Sequence, residues 1–222
     1  MDSRKELLSK FIKANNIEST DMHLIASDAS FRKYYRSNRN KTLIMDAPYE
    51  KGESVKSFKK IAKILIKMGI SAPIIHSIDE DNGFLLLEDL GDEKFSIILN
   101  KKNEKELYQG AVSVLAHVYL KSNEREFDLE DISYYSLNHL IEEANIFCDW
   151  FLEKHCQLRI KSKDKLEYEE ILKRIYNKIE FNFHSLVLRD YHVDNLILLK
   201  DRKGINQVGV IDFQDAVVGS NV

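Results

Sequence analysis

The chain has 222 residues, of which 44% are hydrophobic, and a formal net charge of −3 at pH 7. This length suits one large domain or two small ones, and the small net charge without a basic block argues against a nucleic-acid partner. No apolar run approaches the ~18–20 residues that span a bilayer, and the charged N-terminus lacks the apolar stretch of a secretory signal. We therefore expect a cytoplasmic protein with no membrane partner.

The first 90 residues combine two helical patterns with several short strand patterns. Apolar residues at helical spacing predict helices over residues 3–15 and 54–68, and Gly69 follows the second at the usual stop position. Short apolar segments between polar breaks predict the strands of an antiparallel sheet. These strands are predicted at 23–26, 31–36, 42–45, 74–78 and 84–87.

Beyond Gly91 the pattern becomes mainly helical. Apolar residues at helical spacing predict helices over residues 104–120, 137–151 and 166–179. Short apolar runs after the last helix predict strands at 185–188, 196–199 and 207–211.

Three polar side chains near the C-terminus have the spacing of a phosphoryl-transfer site. Asn195 follows Asp190 by five residues, and Asp212 follows Asn195 by seventeen, at the end of an apolar run. Phosphoryl transfer from ATP needs a carboxylate that orients a hydroxyl, and an amide and a second carboxylate that hold Mg²⁺ on the phosphates. Each residue alone would fit an ordinary loop, but together their order is that of the protein-kinase catalytic segment. The pattern predicts Asp190 as the catalytic residue, and Asn195 and Asp212 as metal ligands.

A strand-rich half followed by a helical half that carries this motif predicts an α+β, two-lobe, protein-kinase-like fold. Residues 1–90 would form the N-terminal nucleotide-binding lobe. Residues 91–222 would form the helical C-terminal lobe with the catalytic and metal loops.

Five stretches extend the pattern over nearly the whole chain. They are SDASFRKYYR (27–36), LIMDAP (43–48), FLLLEDLGD (84–92), RDYHVDNL (189–196) and IDFQDAVVG (211–219). In this order they resemble the aminoglycoside phosphotransferase and choline kinase superfamily, and more closely its branch of bacterial anomeric amino-sugar kinases. The resemblance implies a kinase that uses ATP and Mg²⁺ to phosphorylate a sugar hydroxyl, with N-acetylmuramate and N-acetylglucosamine as the favoured acceptors.

The resemblance also implies where the nucleotide binds. The first stretch would be a turn over the phosphates, and FLLLEDLGD would be the interlobe hinge, whose backbone faces adenine. The residues expected to bind the nucleotide are Ser27, Asp28, Ala29, Ser30, Arg32, Lys33, Glu88, Asp89 and Leu90.

One departure from protein kinases concerns the strand that carries their phosphate-pairing lysine. Met45 and Asp46 stand in that strand here, so the cation is unassigned. Arg32 and Lys33 are the candidates to replace it, and Arg36 is a further source of positive charge.

Several neighbouring residues have two interpretations. His192 either braces the catalytic loop or meets the substrate, and Asp215 either supports the metal site or hydrogen-bonds the loop. The aromatic residues of the helical half are interpreted as core packing rather than as sugar-stacking groups. They are Tyr134, Tyr135 and Trp150.

Members of the resembled family continue for about another hundred residues, so we expect the C-terminal lobe to lack its last helices. Apolar faces of the helices at 137–151 and 166–179 would then be exposed. One alternative is a truncated remnant or split-gene product that binds nucleotide or a separately encoded C-terminal fragment without turnover. The other is a kinase for a different hydroxyl acceptor, such as choline or an aminoglycoside.

Overall fold

The computed structural model describes residues 3–25, 31–124, 126–127, 129–178 and 185–220. The chain divides into two compact units, residues 1–121 with 188–216, and residues 122–187 with 217–222. The helices are α1 (Arg4–Ala14), α2 (Val55–Lys67), α3 (Phe95–Ile98), α4 (Glu104–Ser122), α5 (Leu137–Ile146) and α6 (Ser162–Tyr176). The strands are β1 (Met22–Leu24), β2 (Lys33–Ser37), β3 (Thr42–Asp46), β4 (Ile75–Asp79), β5 (Phe84–Glu88), β6 (Ser185–Val187), β7 (Leu196–Leu198), β8 (Val208–Val210) and β9 (Val217–Gly219).

A five-stranded antiparallel sheet is the frame of the first unit. Its strand order is β1-β2-β3-β5-β4, and the register pairs Met45 with Tyr34 on one side and with Leu85 on the other. The predicted antiparallel sheet is confirmed, because all five strands lie close to their expected positions. The α+β fold class is confirmed by this sheet and by the helical part of the chain.

The two faces of the sheet differ because side chains alternate along each strand. On one face Ile44 and Phe84 pack with Phe11 and Ile12 of α1. The ring centroids of Phe11 and Phe84 are 5.5 Å apart. The opposite face therefore carries the side chains of the odd-numbered positions in β3 and β5, and it is this face that borders a cleft.

Local signals explain where the first two helices begin. Ser3 and Glu6 form a reciprocal capping box at the start of α1, so two backbone N–H groups are satisfied there. The Ser54 hydroxyl accepts from Lys56 N–H at the start of α2. Gly69 follows α2 in the left-handed region with φ 81°, a conformation that glycine adopts without steric cost. Both predicted helices are confirmed.

The second unit contains α5, α6 and the antiparallel pair β6–β9. The helix expected over 137–151 is α-helical only to Ile146, and residues Phe147–His155 continue as a π-helix. Asn145 donates from Nδ2 to Glu169 Oε1 at 2.8 Å, which joins α5 to α6. The helix expected over 166–179 is observed as α6 over Ser162–Tyr176, and residues 179–184 lie outside the described residues.

Aromatic side chains of the second unit are less buried than the sequence suggested. Trp150 is 63% exposed and Tyr134 is 54% exposed, so the core-packing prediction is wrong for both. Apolar residues of α6 are also exposed, among them Leu166 and Ile175. In the described part of the chain no helix combines the length and the apolar content needed to cross a membrane.

Candidate active site

A short hairpin brings Asn195 and Asp212 together. β7 and β8 pair antiparallel, and the N–H of Ile211 donates to the Asn195 carbonyl oxygen at 3.0 Å. Asn195 directly precedes β7 and Asp212 closely follows β8, so both lie at the open end of the hairpin. Asn195 Nδ2 lies 3.4 Å from Asp212 Oδ2. Strand pairing thus brings together two residues that are seventeen positions apart in the sequence.

The loop before β7 places Asp190 at the same point. Asn195 Nδ2 donates to the Asp190 carbonyl oxygen at 2.9 Å, and Tyr191 N–H donates to the Arg189 carbonyl oxygen at 2.8 Å. Arg189 has φ 60°, which is uncommon for a residue with a side chain and marks a tight turn. Asp190 is exposed, and among the described residues no cation or hydrogen-bond donor contacts its carboxylate. Within the described residues, the carboxylate of Asp190 therefore has no structural partner that would explain it.

His192 and Tyr191 hold the loop in place. His192 Nδ1 accepts from Asp194 N–H at 3.3 Å, which favours the loop-bracing interpretation of this histidine. The Tyr191 hydroxyl donates to the Ala111 carbonyl oxygen of α4 at 2.9 Å. Burial raises the pKa of Tyr191, so the phenol stays protonated as a donor. The sequence analysis did not single out Tyr191, although it lies beside Asp190.

Gln214 connects the two acidic residues after β8. Its Nε2 donates to Asp212 Oδ1 at 2.8 Å and to Asp215 Oδ2 at 3.2 Å, and the residue is only 5% exposed. Asp215 therefore takes part in a hydrogen bond within the loop. Asp212 itself has φ 58°, a strained conformation for a non-glycine residue of the kind found at functional sites. Gln214 was missed by the sequence analysis, although it lies inside the IDFQDA stretch.

The pair Asn195 and Asp212 suits Mg²⁺ held jointly with phosphates. Mg²⁺ in proteins usually takes one or two protein oxygens and completes its shell with water and substrate phosphates. The bond from Nδ2 to the Asp190 carbonyl fixes which end of the Asn195 amide is the donor, so Oδ1 is the oxygen left for a cation. Within the described residues no group of three or more His, Cys, Asp or Glu could hold a metal alone. The donor set therefore fits a metal that arrives with a nucleotide.

A cleft connects this point to the sheet. Arg36, Glu88, Asp89, Asp92 and Lys94 supply its polar wall, and Asn195 and Asp212 lie within its lining. The apolar part of the lining comes from the sheet, from α2 and from the β7–β8 hairpin. It consists of Ile25, Leu43, Phe58, Leu87, Leu90, Ile197 and Ile211. Flat apolar walls with a few polar groups at one edge suit a planar base.

The hinge after β5 leaves one residue with an open backbone edge. Glu88 N–H donates to the Ile74 carbonyl at 2.8 Å, and Asp89 N–H donates to the Lys41 carbonyl at 3.1 Å. In the described part of the chain neither the N–H nor the C=O of Leu90 has a hydrogen-bond partner. The Leu90 side chain packs with Ile197, so the residue is fixed while its backbone edge is available.

The acidic side chains of the hinge are paired with protein cations. Arg36 Nε lies 2.7 Å from Asp89 Oδ2, and Arg36 Nη1 lies 2.6 Å from Asp92 Oδ1. Arg202 pairs with Glu88, and Lys200 pairs with Glu93. The positive charge of Arg36 is therefore neutralised at the hinge, which corrects the expectation that it supplies charge for phosphates.

The remaining expected nucleotide residues have different positions. Ser27, Asp28, Ala29 and Ser30 lie outside the described residues. Lys33 is exposed, and Arg32 is half-buried beside Glu53. Asp46 lies on the α1 side of the sheet, where its Oδ1 accepts from Arg4 Nε at 2.9 Å.

The fold and the arrangement of the site residues are those of a protein-kinase-like phosphotransferase. Residues 21–220 match the model of the phosphotransferase enzyme family, and the chain belongs to that family. It is 18% identical to a streptomycin–ATP–APH(2″)-IIa complex, at a TM-score of 0.65 over 99% of this chain and 73% of that one. ADP-bound aminoglycoside phosphotransferase APH(2″)-Ib gives the same TM-score of 0.65, with 16% identity, and also covers 99% of this chain and 73% of its own.

Two bacterial kinases are among the curated proteins to which the chain is similar. It is 31% identical over 200 residues to the N-acetylmuramate/N-acetylglucosamine kinase of Pseudomonas aeruginosa, covering 87% of this chain and 55% of that protein. It is also 31% identical over 206 residues to the N-acetylmuramate/N-acetylglucosamine kinase of Neisseria meningitidis serogroup B, covering 90% of this chain and 58% of that protein. The chain thus spans little more than half the length of these relatives.

Proposed function

We propose that this chain carries the nucleotide and catalytic residues of a phosphotransferase that uses ATP and Mg²⁺ to phosphorylate a sugar hydroxyl. The observation that carries the proposal is the convergence of Asp190, Asn195 and Asp212. One amide nitrogen of Asn195 lies 2.9 Å from the Asp190 carbonyl oxygen and 3.4 Å from the Asp212 carboxylate. An exposed carboxylate beside an amide and a second carboxylate is the arrangement that phosphoryl transfer uses.

In this mechanism the Asp190 carboxylate orients the acceptor hydroxyl and takes its proton as the oxygen attacks the γ-phosphorus of ATP. The bond from phosphorus to the oxygen that bridges the β- and γ-phosphates breaks, and ADP leaves. Asn195 Oδ1 and the Asp212 carboxylate would hold Mg²⁺, which neutralises charge on the phosphates. Gln214 keeps Asp212 in position through its bond to Oδ1, 2.8 Å long.

For the base, we assign the open backbone edge of Leu90 as the hydrogen-bonding partner of adenine. Apolar side chains that line the cleft, such as Leu43 and Ile211, would pack on the two faces of the adenine ring. Glu88 and Asp89 contribute by holding the hinge rather than by direct contact, because both side chains are paired with arginines.

N-acetyl amino sugars are the proposed acceptor. The support is the identity of 31% to relatives named N-acetylmuramate/N-acetylglucosamine kinase. Dependence on ATP would place the protein in the cytoplasm.

The test is Mg²⁺-dependent release of ADP by the purified protein with N-acetylmuramate, with N-acetylglucosamine and without sugar. We expect sugar-dependent turnover that falls by about 10²- to 10⁴-fold in Asp190→Ala, since that is the usual contribution of a catalytic acid or base. Asp201→Ala, which removes an exposed carboxylate from the β7–β8 loop, is the matched control and should be unchanged.

Three results would contradict the proposal in whole or in part. Turnover that is equal in wild type and Asp190→Ala would exclude Asp190 as the catalytic residue. Folded protein that binds ATP but shows no turnover with any sugar would favour a nucleotide-binding role without catalysis. Turnover with choline or an aminoglycoside instead would keep the reaction class and overturn the acceptor.

A further inference from the structure

We infer that Arg32, positioned by Glu53, is the cation that contacts the nucleotide phosphates in this chain. In protein kinases this part is taken by a lysine on the third strand, which pairs with a glutamate of the following helix. The inference rests on the proposed nucleotide site and deepens it by naming the ion pair that would replace the lysine and glutamate.

The third strand of this chain offers no cation to the cleft. Met45 is 0% exposed and lies on the cleft face of the sheet, between Tyr34 and Leu85. Asp46 faces the other way and is held by Arg4. The cation for the phosphates must therefore come from another element.

The alternation of side chains along β2 selects Arg32. Tyr34 and Arg36 of β2 both line the cleft, and the same period of two residues, continued one position before the strand begins at Lys33, places Arg32 on the same side. Lys33 projects to the opposite face and is exposed. Arg36 is already bound to Asp89 and Asp92 at the hinge. Arg32, which directly precedes β2, is thus the cation that lies on the cleft side and pairs with Glu53 instead of with the hinge.

Glu53 holds Arg32 at the beginning of the strand. Arg32 Nε lies 2.7 Å from Glu53 Oε2, and both side chains are only 12% exposed. Glu53 Oε1 accepts from Phe31 N–H at 3.2 Å, so one carboxylate holds the side chain of Arg32 and the backbone just before it. A guanidinium is planar and has five N–H donors, so a carboxylate at Nε orients the group that would meet a phosphate.

The position of this pair along the cleft also fits phosphates. Arg36 marks the hinge end of β2, and Arg32 lies four residues away, about 13 Å along the strand. Glu53 lies just before α2, and Phe58 of α2 packs on Phe213, with ring centroids 4.9 Å apart. Phe213 follows Asp212 in the chain, so the start of α2 is on the metal side of the cleft. A nucleotide with its base at Leu90 would direct its phosphates toward both Asp212 and Arg32.

The experiment compares binding of ADP and adenosine, in the presence of Mg²⁺, by titration calorimetry. Arg32→Met should raise the Kd of ADP about tenfold or more, the range expected for losing a charged hydrogen bond, and leave the Kd of adenosine unchanged. Glu53→Gln should raise the Kd of ADP in the same selective way. The double variant should bind ADP about as weakly as Arg32→Met alone, because the two residues act as a unit.

Arg39→Met is the matched control. Arg39 pairs with Glu18 on the surface, and the two side chains are 70% and 67% exposed. It should bind ADP and adenosine as the wild type does. Thermal unfolding without nucleotide separates a loss of fold from a loss of phosphate contact. If Arg32→Met does not fold, Arg32→Lys, which keeps the charge but not the planar fork, should raise the Kd of ADP several-fold.

The outcomes distinguish this inference from the proposed function. Wild-type protein that binds ADP, with a folded Arg32 variant that binds it equally well, would overturn the role of Arg32 alone. Equal weakening of ADP and adenosine would also overturn it, since that result marks a general structural effect. Wild-type protein that binds neither ADP nor ATP would overturn the proposed function and this inference together.

Discussion

Asn195 joins the proposed metal position to the proposed catalytic loop through one bond, from its Nδ2 to the carbonyl oxygen of Asp190 at 2.9 Å. The same nitrogen lies 3.4 Å from Asp212 Oδ2, so the amide is a donor toward both. An aspartate at this position has the same shape but no donor. The substitution Asn195→Asp therefore removes the hydrogen-bond donor with little change in packing.

We predict that Asn195→Asp lowers the free energy of unfolding by about 1–3 kcal/mol without Mg²⁺, because the Asp190 carbonyl loses its donor and two carboxylates then face each other. Mg²⁺ should restore more stability in this variant than in the wild type, since a cation between two carboxylates binds only the folded form. Urea unfolding with Mg²⁺ and with EDTA measures both effects. An equal response to Mg²⁺ in the two proteins would exclude Asn195 as a neighbour of the metal.

Asp212→Asn should remove the Mg²⁺-dependent part of ADP affinity and leave the fold intact. Asparagine tolerates the left-handed φ of 58° at this position and can still accept from Gln214, whereas alanine would add backbone strain of about 1 kcal/mol. The measurement is the Kd of ADP with Mg²⁺ and with EDTA. Asp201→Asn is the control on the same hairpin. Persistence of the full Mg²⁺ effect in Asp212→Asn would remove Asp212 from the metal site.

Arg36→Met should destabilise the protein by about 1.5–3 kcal/mol, the range for hydrogen bonds to charged groups, because Asp89 is left half-buried without its cation. It should also weaken adenosine binding, since the hinge around Leu90 loses its anchor to β2. Urea unfolding and adenosine titration test the two parts. Arg39→Met should change stability by less than about 1 kcal/mol, as is usual for exposed pairs. If both variants lost the same stability, the hinge contact would have no special role.

Tyr191→Phe should cost about 1 kcal/mol at neutral pH, because the Ala111 carbonyl loses its donor. Burial raises the pKa of Tyr191 in the folded state above its unfolded value of about 10. The stabilisation is therefore fully present below about pH 10 and is lost as pH rises from there toward the folded pKa. The stability difference between the wild type and Tyr191→Phe should be flat near neutrality and narrow above about pH 10. Urea unfolding across this range checks it, with Tyr108→Phe, an exposed tyrosine of α4, as the control.

Elements with local signals were predictable from the sequence. The caps at Ser3 and Ser54 and the glycine after α2 mark helix ends through contacts a few residues apart, so those boundaries needed no tertiary information. The π-helix from Phe147 was not predictable, because its apolar residues also fit the α-helical period. β9 has three residues and is defined by its pairing with β6, which is distant in sequence.

The candidate site likewise contains residues that the sequence predicts from local spacing and residues whose roles depend on distant contacts. The spacing of Asp190, Asn195 and Asp212 was readable because one hairpin joins the last two residues and the loop directly before it carries the first. The hinge contact of Arg36 spans 53 residues to Asp89 and the ion pair of Arg32 spans 21 residues to Glu53, and neither leaves a local pattern. Arg36 was consequently interpreted as a phosphate cation, although the fold uses it to hold the hinge.

The β7–β8 hairpin carries residues that contact other parts of the cleft at both of its ends. Its open end carries Asn195 and Asp212, and its turn carries Lys200 and Arg202, which reach Glu93 and Glu88. An insertion within either strand would shift the pairing that aligns Asn195 with Asp212, the proposed metal ligands. A deletion in the turn would keep that pairing but withdraw the cations from the hinge. The length of this hairpin thus sets the distance between the two ends of the cleft. An insertion or deletion anywhere along it would change how a bound molecule fits between those ends.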